Sequence, residues 1–167
     1  MTGSEVLRLY EAHGEMLYRT CWLYVKNRQD AQDAVQSTLL KLMERKEPFD
    51  SPEHAKNWIM KVSINECRKI TGHWWRKMRS DLEDFSFIPD ESSETQTGSS
   101  EILDAVMKLP VFSRIAIYLY YYEGYTTAEI SEMTGRNAVT VRSDLLRGRK
   151  RLKLSLTDDK EERRNPV

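Results

Sequence analysis

TTAEISEMTGRNAVTVRSDLLRGRKRL, residues 126–152, reads as two short helices joined by a tight turn, the second loaded with Arg and Lys. Thr126 can cap the first helix, and Glu129 stands where a capping box needs its acid. Gly135 suits the left-handed conformation that ends such a helix. Asn137 is then a natural N-cap for the next one. On the second helix Ala138, Val141, Leu145, Gly148 and Leu152 share one face at helical spacing. The opposite face and its flanks present Val139, Thr140, Arg142, Ser143, Arg147 and Lys150. An apolar inner stripe under a polar, basic outer face is what a helix needs to lie in the DNA major groove. A solvated amphipathic helix would carry similar charge; the paired caps and the glycine turn favour the groove-reading build.

Working outward, the net charge of zero by itself argues against a nucleic-acid partner, but the distribution argues for one. Residues 55–80 hold seven basic groups (Lys56, Lys61, Arg68, Lys69, Arg76, Lys77, Arg79) against Glu66 alone. Residues 136–153 again hold seven (Arg136, Arg142, Arg147, Arg149, Lys150, Arg151, Lys153) against Asp144. Between them, residues 81–104 hold eight acids and no base. Two basic islands around an acidic bridge suggest two DNA contacts whose charge the bridge cancels in the sum.

Enzyme chemistry finds little support. The chain has no glycine-rich phosphate loop, HExxH or GxSxG, so neither catalysis nor a small-molecule substrate nor a cofactor is expected. Cys21 and Cys67 are unpatterned and are expected as reduced, buried thiols of a cytosolic protein. His13, His54 and His73 are scattered, which argues against zinc. No apolar run approaches the roughly 20 residues of a membrane span, and no signal-peptide pattern opens the chain. A cytoplasmic protein without direct membrane insertion is expected.

Apart from loops, the chain reads as helix. Val6, Leu9, Tyr10, His13, Leu17 and Tyr24 follow one face of a first helix ending near Asn27. A second starts at Asp30, with Ala31, Ala34, Val35, Leu39 and Met43 on one side. Ser51 and Pro52 open a third as cap and first residue, and Ala55, Trp58, Ile59 and Val62 follow. Residues 80–100 are polar and acidic and are expected to be an extended linker. Helix resumes at about Glu101, breaks at Leu109-Pro110 and runs again to Gly124. IAIYLYYY could pass for a strand, but Pro110 and Gly124 bracket a helix-length segment with no partner strand nearby. From about Thr157 a charged, loose tail is expected.

With both islands placed, the chain resembles a bacterial sigma factor of the extracytoplasmic-function group, in the sigma-70 family. DAQDAVQSTLLKLMER resembles the family's region 2.2, and NWIMKVSINECRKI resembles regions 2.3 and 2.4. The stretch from Leu109-Pro110 to Leu152 resembles region 4. The order of the motifs matches as well as the motifs, over nearly the whole chain. The resemblance implies an all-α protein with a region 2-like helical domain at 1–79, an acidic linker at 80–100, a region 4-like helix-turn-helix domain at 101–156 and a charged tail at 157–167.

It also implies a job: to recruit core RNA polymerase, through its β′ coiled coil and β flap, to promoter DNA. Region 4 would read a duplex −35 element through Val139, Thr140, Arg142 and Ser143, with Arg147 and Lys150 on phosphate. Arg149 is a further candidate for phosphate. Region 2 would take the opened −10 element. There Asn65 can hydrogen-bond a base edge, with Lys61, Arg68 and Lys69 around it. Trp58 stands at the family's aromatic position but could instead be core, by its spacing with Val62, and one of Trp74 and Trp75 could stack on a base. Asp33, Gln36, Leu39, Leu40 and Met43 offer an acidic and apolar face better suited to polymerase than to DNA. An anti-sigma factor that masks these surfaces, and holds the protein at the membrane if anchored there, is the further partner implied. The chain departs from the family pattern at Val139, Asp144 and Gly148, where Gly, Arg and Ala are usual. Asp144 is expected to set an acid near the DNA face, and Gly148 to weaken the helix by about 1 kcal/mol.

Overall fold

The computed structural model describes residues 1–80 and 101–164, without the side chains of 73–80, 159–160 and 162–163. The expected linker, and the side chains of Trp74 and Trp75, lie outside that description. Among the described residues every regular element is a helix, and the chain divides into two compact units, Met1–Ser93 and Glu94–Val167.

The first unit packs three helices, each against the other two: α1 (Gly3–Val25), α2 (Arg28–Glu44) and α3 (Pro52–Ser80). Thr2 and Glu5 close a capping box at the start of α1. Lys26 ends it in the left-handed region at φ 54°, its N–H donating to the Trp22 carbonyl at 2.8 Å. Asn27 then accepts from the Asp30 amide at 2.9 Å, so α2 begins just ahead of the expected Asp30. Ser51 accepts from the His54 amide at 3.1 Å and Pro52 is the first residue of α3, as expected. Leu17, Leu42, Met60 and Ile64 are fully buried where the helices meet, each contributing about 1.5–3 kcal/mol. Cys21 and Cys67 are free and buried beside one another, and burial together with that contact pushes the Cys67 thiol far up. Thr20, Thr38 and Ser63 are buried too, each hydroxyl donating at 2.8 Å to a carbonyl of its own helix.

Three expected core positions are corrected. Met43 is 52% exposed and Leu39 only half-buried; Thr38 and Leu42 take the buried side of α2 instead. Tyr10 stays exposed, its ring lying across Gly14, where a Cβ would meet it at 2.9 Å.

The second unit comprises α4 (Glu101–Met107), α5 (Val111–Ile117), a π-helical turn over Tyr118–Tyr122, α6 (Thr127–Thr134) and α7 (Ala138–Arg164). The break at Leu109-Pro110 holds. Arg114, buried on α5, donates to the Leu109 carbonyl at 2.8 Å and the Met107 carbonyl at 3.5 Å, capping the end of α4. The IAIYLYYY stretch is helical rather than extended, and it closes with the Glu123 amide on the Tyr118 carbonyl at 3.2 Å. Ile115, Leu119, Ile130, Val141 and Leu145 form the core where α5 and α6 meet α7. The expectation of a loose tail from Thr157 is corrected: α7 continues through it to Arg164. Residues 157–164 include two Glu, two Arg and a Lys, all good helix formers.

Candidate nucleic-acid interface

The turn between α6 and α7 is built from its local signals. Thr126 accepts from the Glu129 amide at 3.2 Å while the Glu129 carboxylate accepts from the Thr126 amide at 2.8 Å. Gly135 takes φ 69°, a conformation that costs a side chain dearly. Asn137 accepts from the Val139 amide at 2.9 Å and launches α7. The inner stripe of α7 is buried at Val141, Leu145 and Gly148 and half-buried at Ala138 and Leu152. Val139, Arg142, Arg147 and Lys150 are exposed, and Thr140 and Ser143 are half-buried beside them. Ser143 donates its hydroxyl to the Val139 carbonyl at 3.1 Å, which leaves its oxygen to accept. Among the described residues, Arg142 and Lys150 have no partner. Arg149 does: it donates to the Tyr121 hydroxyl at 2.9 Å.

Asp144 is the main correction. It does not face outward but is buried, 3% exposed, under the turn. Its two carboxylate oxygens accept from Arg136 at 2.9 Å and from Arg147 at 2.7 Å. The Arg136 guanidinium also lies over the Phe112 ring at 3.8 Å, which ties the turn to α5. Gly148 is likewise a packing residue, because a Cβ there would stand 2.9 Å from Ile117 Cγ1.

In the first unit, Lys61, Asn65, Arg68 and Lys69 recur at helical spacing along α3. Lys61, Arg68 and Lys69 are exposed and Asn65 is half-buried among them. Arg68 reaches the Tyr24 phenol, whose proton affinity is raised by burial and eased by that cation. Lys69 donates to Glu66 at 2.9 Å, and Lys41 of α2 reaches the same oxygen. Burial of Glu66 pushes its carboxyl up, but the hydrogen bonds and charges of the two lysines outweigh this and leave it below 4.5, its ordinary value. Trp58 is half-buried, edge-on to Phe49 at 5.7 Å with the Arg45 guanidinium 5.3 Å over its ring. It sits in a packed aromatic cluster, in keeping with its core spacing.

On α2, Asp33, Gln36, Leu40 and Met43 are all exposed. Their spacing sets them in one line along the helix, opposite buried Ala31, Ala34, Thr38 and Leu42. Leu39 is half-buried at the margin. Two of these four positions, Leu40 and Met43, are large apolar residues left about half exposed.

Residues 9–79 match the family model of sigma-70 region 2, and residues 99–152 match that of sigma-70 region 4. The chain belongs to the sigma-70 family. It is an RNA polymerase sigma factor of the extracytoplasmic-function group. RNA polymerase sigma factor SigV of Bacillus subtilis is 29% identical over 147 residues, covering 88% of each chain. ECF RNA polymerase sigma factor SigM of Mycobacterium tuberculosis is 28% identical over 149 residues, 87% of this chain and 74% of that one. Among solved structures, the sigma factor RpoE of Bartonella quintana, crystallised with the anti-sigma factor NepR, shares the fold. That match has a TM-score of 0.67 at 22% identity and covers 92% of this chain and 95% of that one.

In this sigma factor α1–α3 carry the region 2 match and α4–α7 the region 4 match. Sequence reading missed the supporting shell: Arg114, Arg136, Phe112, and the roles of Glu66 and Asp144. A signal for the two acids was present. Each is the single acid of its basic island, and each has a base three positions on, Lys69 and Arg147.

Proposed function

We propose that residues 1–79 of this sigma factor bind core polymerase and the −10 element, and that residues 101–156 read the −35 element, with 80–100 as the connection between them. The observation that carries this reading is that three exposed surfaces differ in chemistry and lie on separately positioned helices. The acidic and apolar line on α2 (Asp33, Gln36, Leu40, Met43, with Leu39 at its margin) suits a protein, and its occupant is the β′ coiled coil. The α3 line suits an opened strand: Asn65 offers a donor and an acceptor to one unstacked base, and Lys61, Arg68 and Lys69 track the backbone. The outer face of α7 suits duplex DNA. Arg142, unpartnered within the chain, reads a base edge together with Val139, Thr140 and Ser143, while Arg147 and Lys150 meet phosphate. The β flap docks on the second unit.

The protein acts in the cytoplasm without catalysis, cofactor or small-molecule substrate of its own. No helix among the described residues is long and apolar enough to cross a membrane. The Bartonella sigma factor was solved with an anti-sigma factor, and a protein of that class masks the polymerase and DNA surfaces here. If such an inhibitor is membrane-bound, it holds this chain at the membrane.

Run-off transcription from a genomic promoter library, with bacterial core polymerase with and without this protein, tests the reading. Start sites that appear only with it, sharing spaced −35 and −10 elements, are expected, and they weaken in Asn65→Ala and Arg142→Ala. Tight binding to duplex DNA with no binding to core and no start sites would instead make it a conventional repressor or activator.

A further inference from the structure

Among the described residues only two acids are buried, Glu66 and Asp144, and each is the lone acid of a basic island holding two cations. The Asp144 pairs bear on DNA reading. One oxygen takes Arg136, the residue before the α7 cap, whose guanidinium is pressed on Phe112. The other takes Arg147, whose side chain is 60% exposed on the flank of the groove-reading face.

We propose that Asp144 is a specificity-determining positioning residue, which holds Arg147 at one place beside the groove and keeps both arginines from serving as free phosphate ligands. This rests on the reading of α7 as the −35 helix. The Arg147 contact with Asp144 uses one Nη2 proton and leaves the Nη1 and Nε protons to donate. A fixed guanidinium meets a phosphate only when the duplex lies in the matching register, so the contact adds to correct docking and little to random docking. Half-neutralised, the trio also releases fewer counterions on arbitrary DNA than two unrestrained arginines would. Asp144 itself is too buried to touch DNA, so its effect passes through the arginines.

The test uses holoenzyme assembled from the full chain and core polymerase, on a promoter from the run-off library and on the same fragment with its −35 element scrambled. Asp144→Asn keeps the shape and removes the charge. It is expected to lower discrimination between the two fragments by about tenfold, chiefly by tighter binding to the scrambled one. The log–log salt slope on that fragment steepens by roughly 0.9 for each further phosphate that the released arginines neutralise. Adding Arg147→Gln to Asp144→Asn brings the slope back toward the wild-type value, and Asp144→Glu preserves discrimination.

An unchanged ratio and slope in a folded Asp144→Asn protein overturns the proposal. If circular dichroism shows that this variant does not fold, Arg147→Gln alone decides. Its salt slope should fall by less than about half of the change in Lys150→Gln, the phosphate ligand that Asp144 does not hold, and equal changes overturn the proposal. A wild-type holoenzyme indifferent to scrambling would instead count against α7 as the −35 reader, which separates the two failures.

Discussion

At Gly148 a methyl group would stand 2.9 Å from Ile117 Cγ1 and 3.3 Å from its Cδ1. Ile117 is buried and β-branched, so it cannot swing clear cheaply. Gly148→Ala therefore gains about 1 kcal/mol of helix propensity but loses about 1–3 kcal/mol to overpacking. The expected outcome is a net loss near 1 kcal/mol, read as a lower urea midpoint at unchanged slope. Glu66 gives a second residue-scale prediction. Because its folded carboxyl is held below 4.5, it contributes stability above that pH and loses it as pH falls through the lower folded value. Glu66→Gln should cost the protein about 1–2 kcal/mol at neutral pH. Urea melts from pH 7 downward check this, since the wild-type and variant stabilities should converge in acid.

At the scale of elements, α2 has one buried side and one exposed side of acidic and apolar residues. Leu40 and Met43 are about half exposed and lie outside the buried core, so Leu40→Ala and Met43→Ala should move the thermal midpoint little. Each should weaken binding to core polymerase by about 1–2 kcal/mol, roughly five- to thirtyfold, in a fluorescence titration. The same helix shows how far sequence could see. The caps of α6 and α7 were legible because a cap is a local arrangement of four or five neighbouring residues, whereas the Asn27 cap that starts α2 was passed over for Asp30. Which apolar residue turns inward was less so: Leu39, Leu42 and Met43 are equally apolar, and only packing against α1 and α3 chooses Leu42. Asp144 follows Val141 and precedes Gly148 at the spacing that marks the inner stripe. Periodicity therefore pointed inward, while its charge suggested the surface. Two arginines from different places in the chain settled the conflict.

At the scale of the whole molecule, the division into Met1–Ser93 and Glu94–Val167 leaves each unit with its own core. Fragments cut at that point should each give a cooperative thermal melt, although units of this size are marginal. Loss of helix in either fragment when expressed alone would show that it borrows stability from the other. Promoter binding by the holoenzyme should weaken steeply with salt, since both reading surfaces are cationic despite a net charge of zero. Filter binding between about 50 and 200 mM salt measures this, with losses of a hundredfold or more expected. The division was legible in the switch from basic to acidic composition. The supporting ion pairs were not, because they join residues whose spacing carries no motif.

The π-helical turn over Tyr118–Tyr122 is geometrically an α-helix with one residue too many, closed by wide turns in which the Glu123 amide donates five residues back to Tyr118 at 3.2 Å and the Tyr125 amide donates to Leu119 at 2.9 Å. Removing one tyrosine would let α5 close into a regular ladder and would rotate everything after it by about 100° about the helix axis. Gly124, α6 and the outer face of α7 would then arrive misaligned with the surface that α5 presents. The length of the tyrosine run is thus as much a specification as its chemistry: aromatic exchanges at Tyr120 or Tyr122 leave the count intact, whereas a single-codon deletion alters the aim of both α6 and α7.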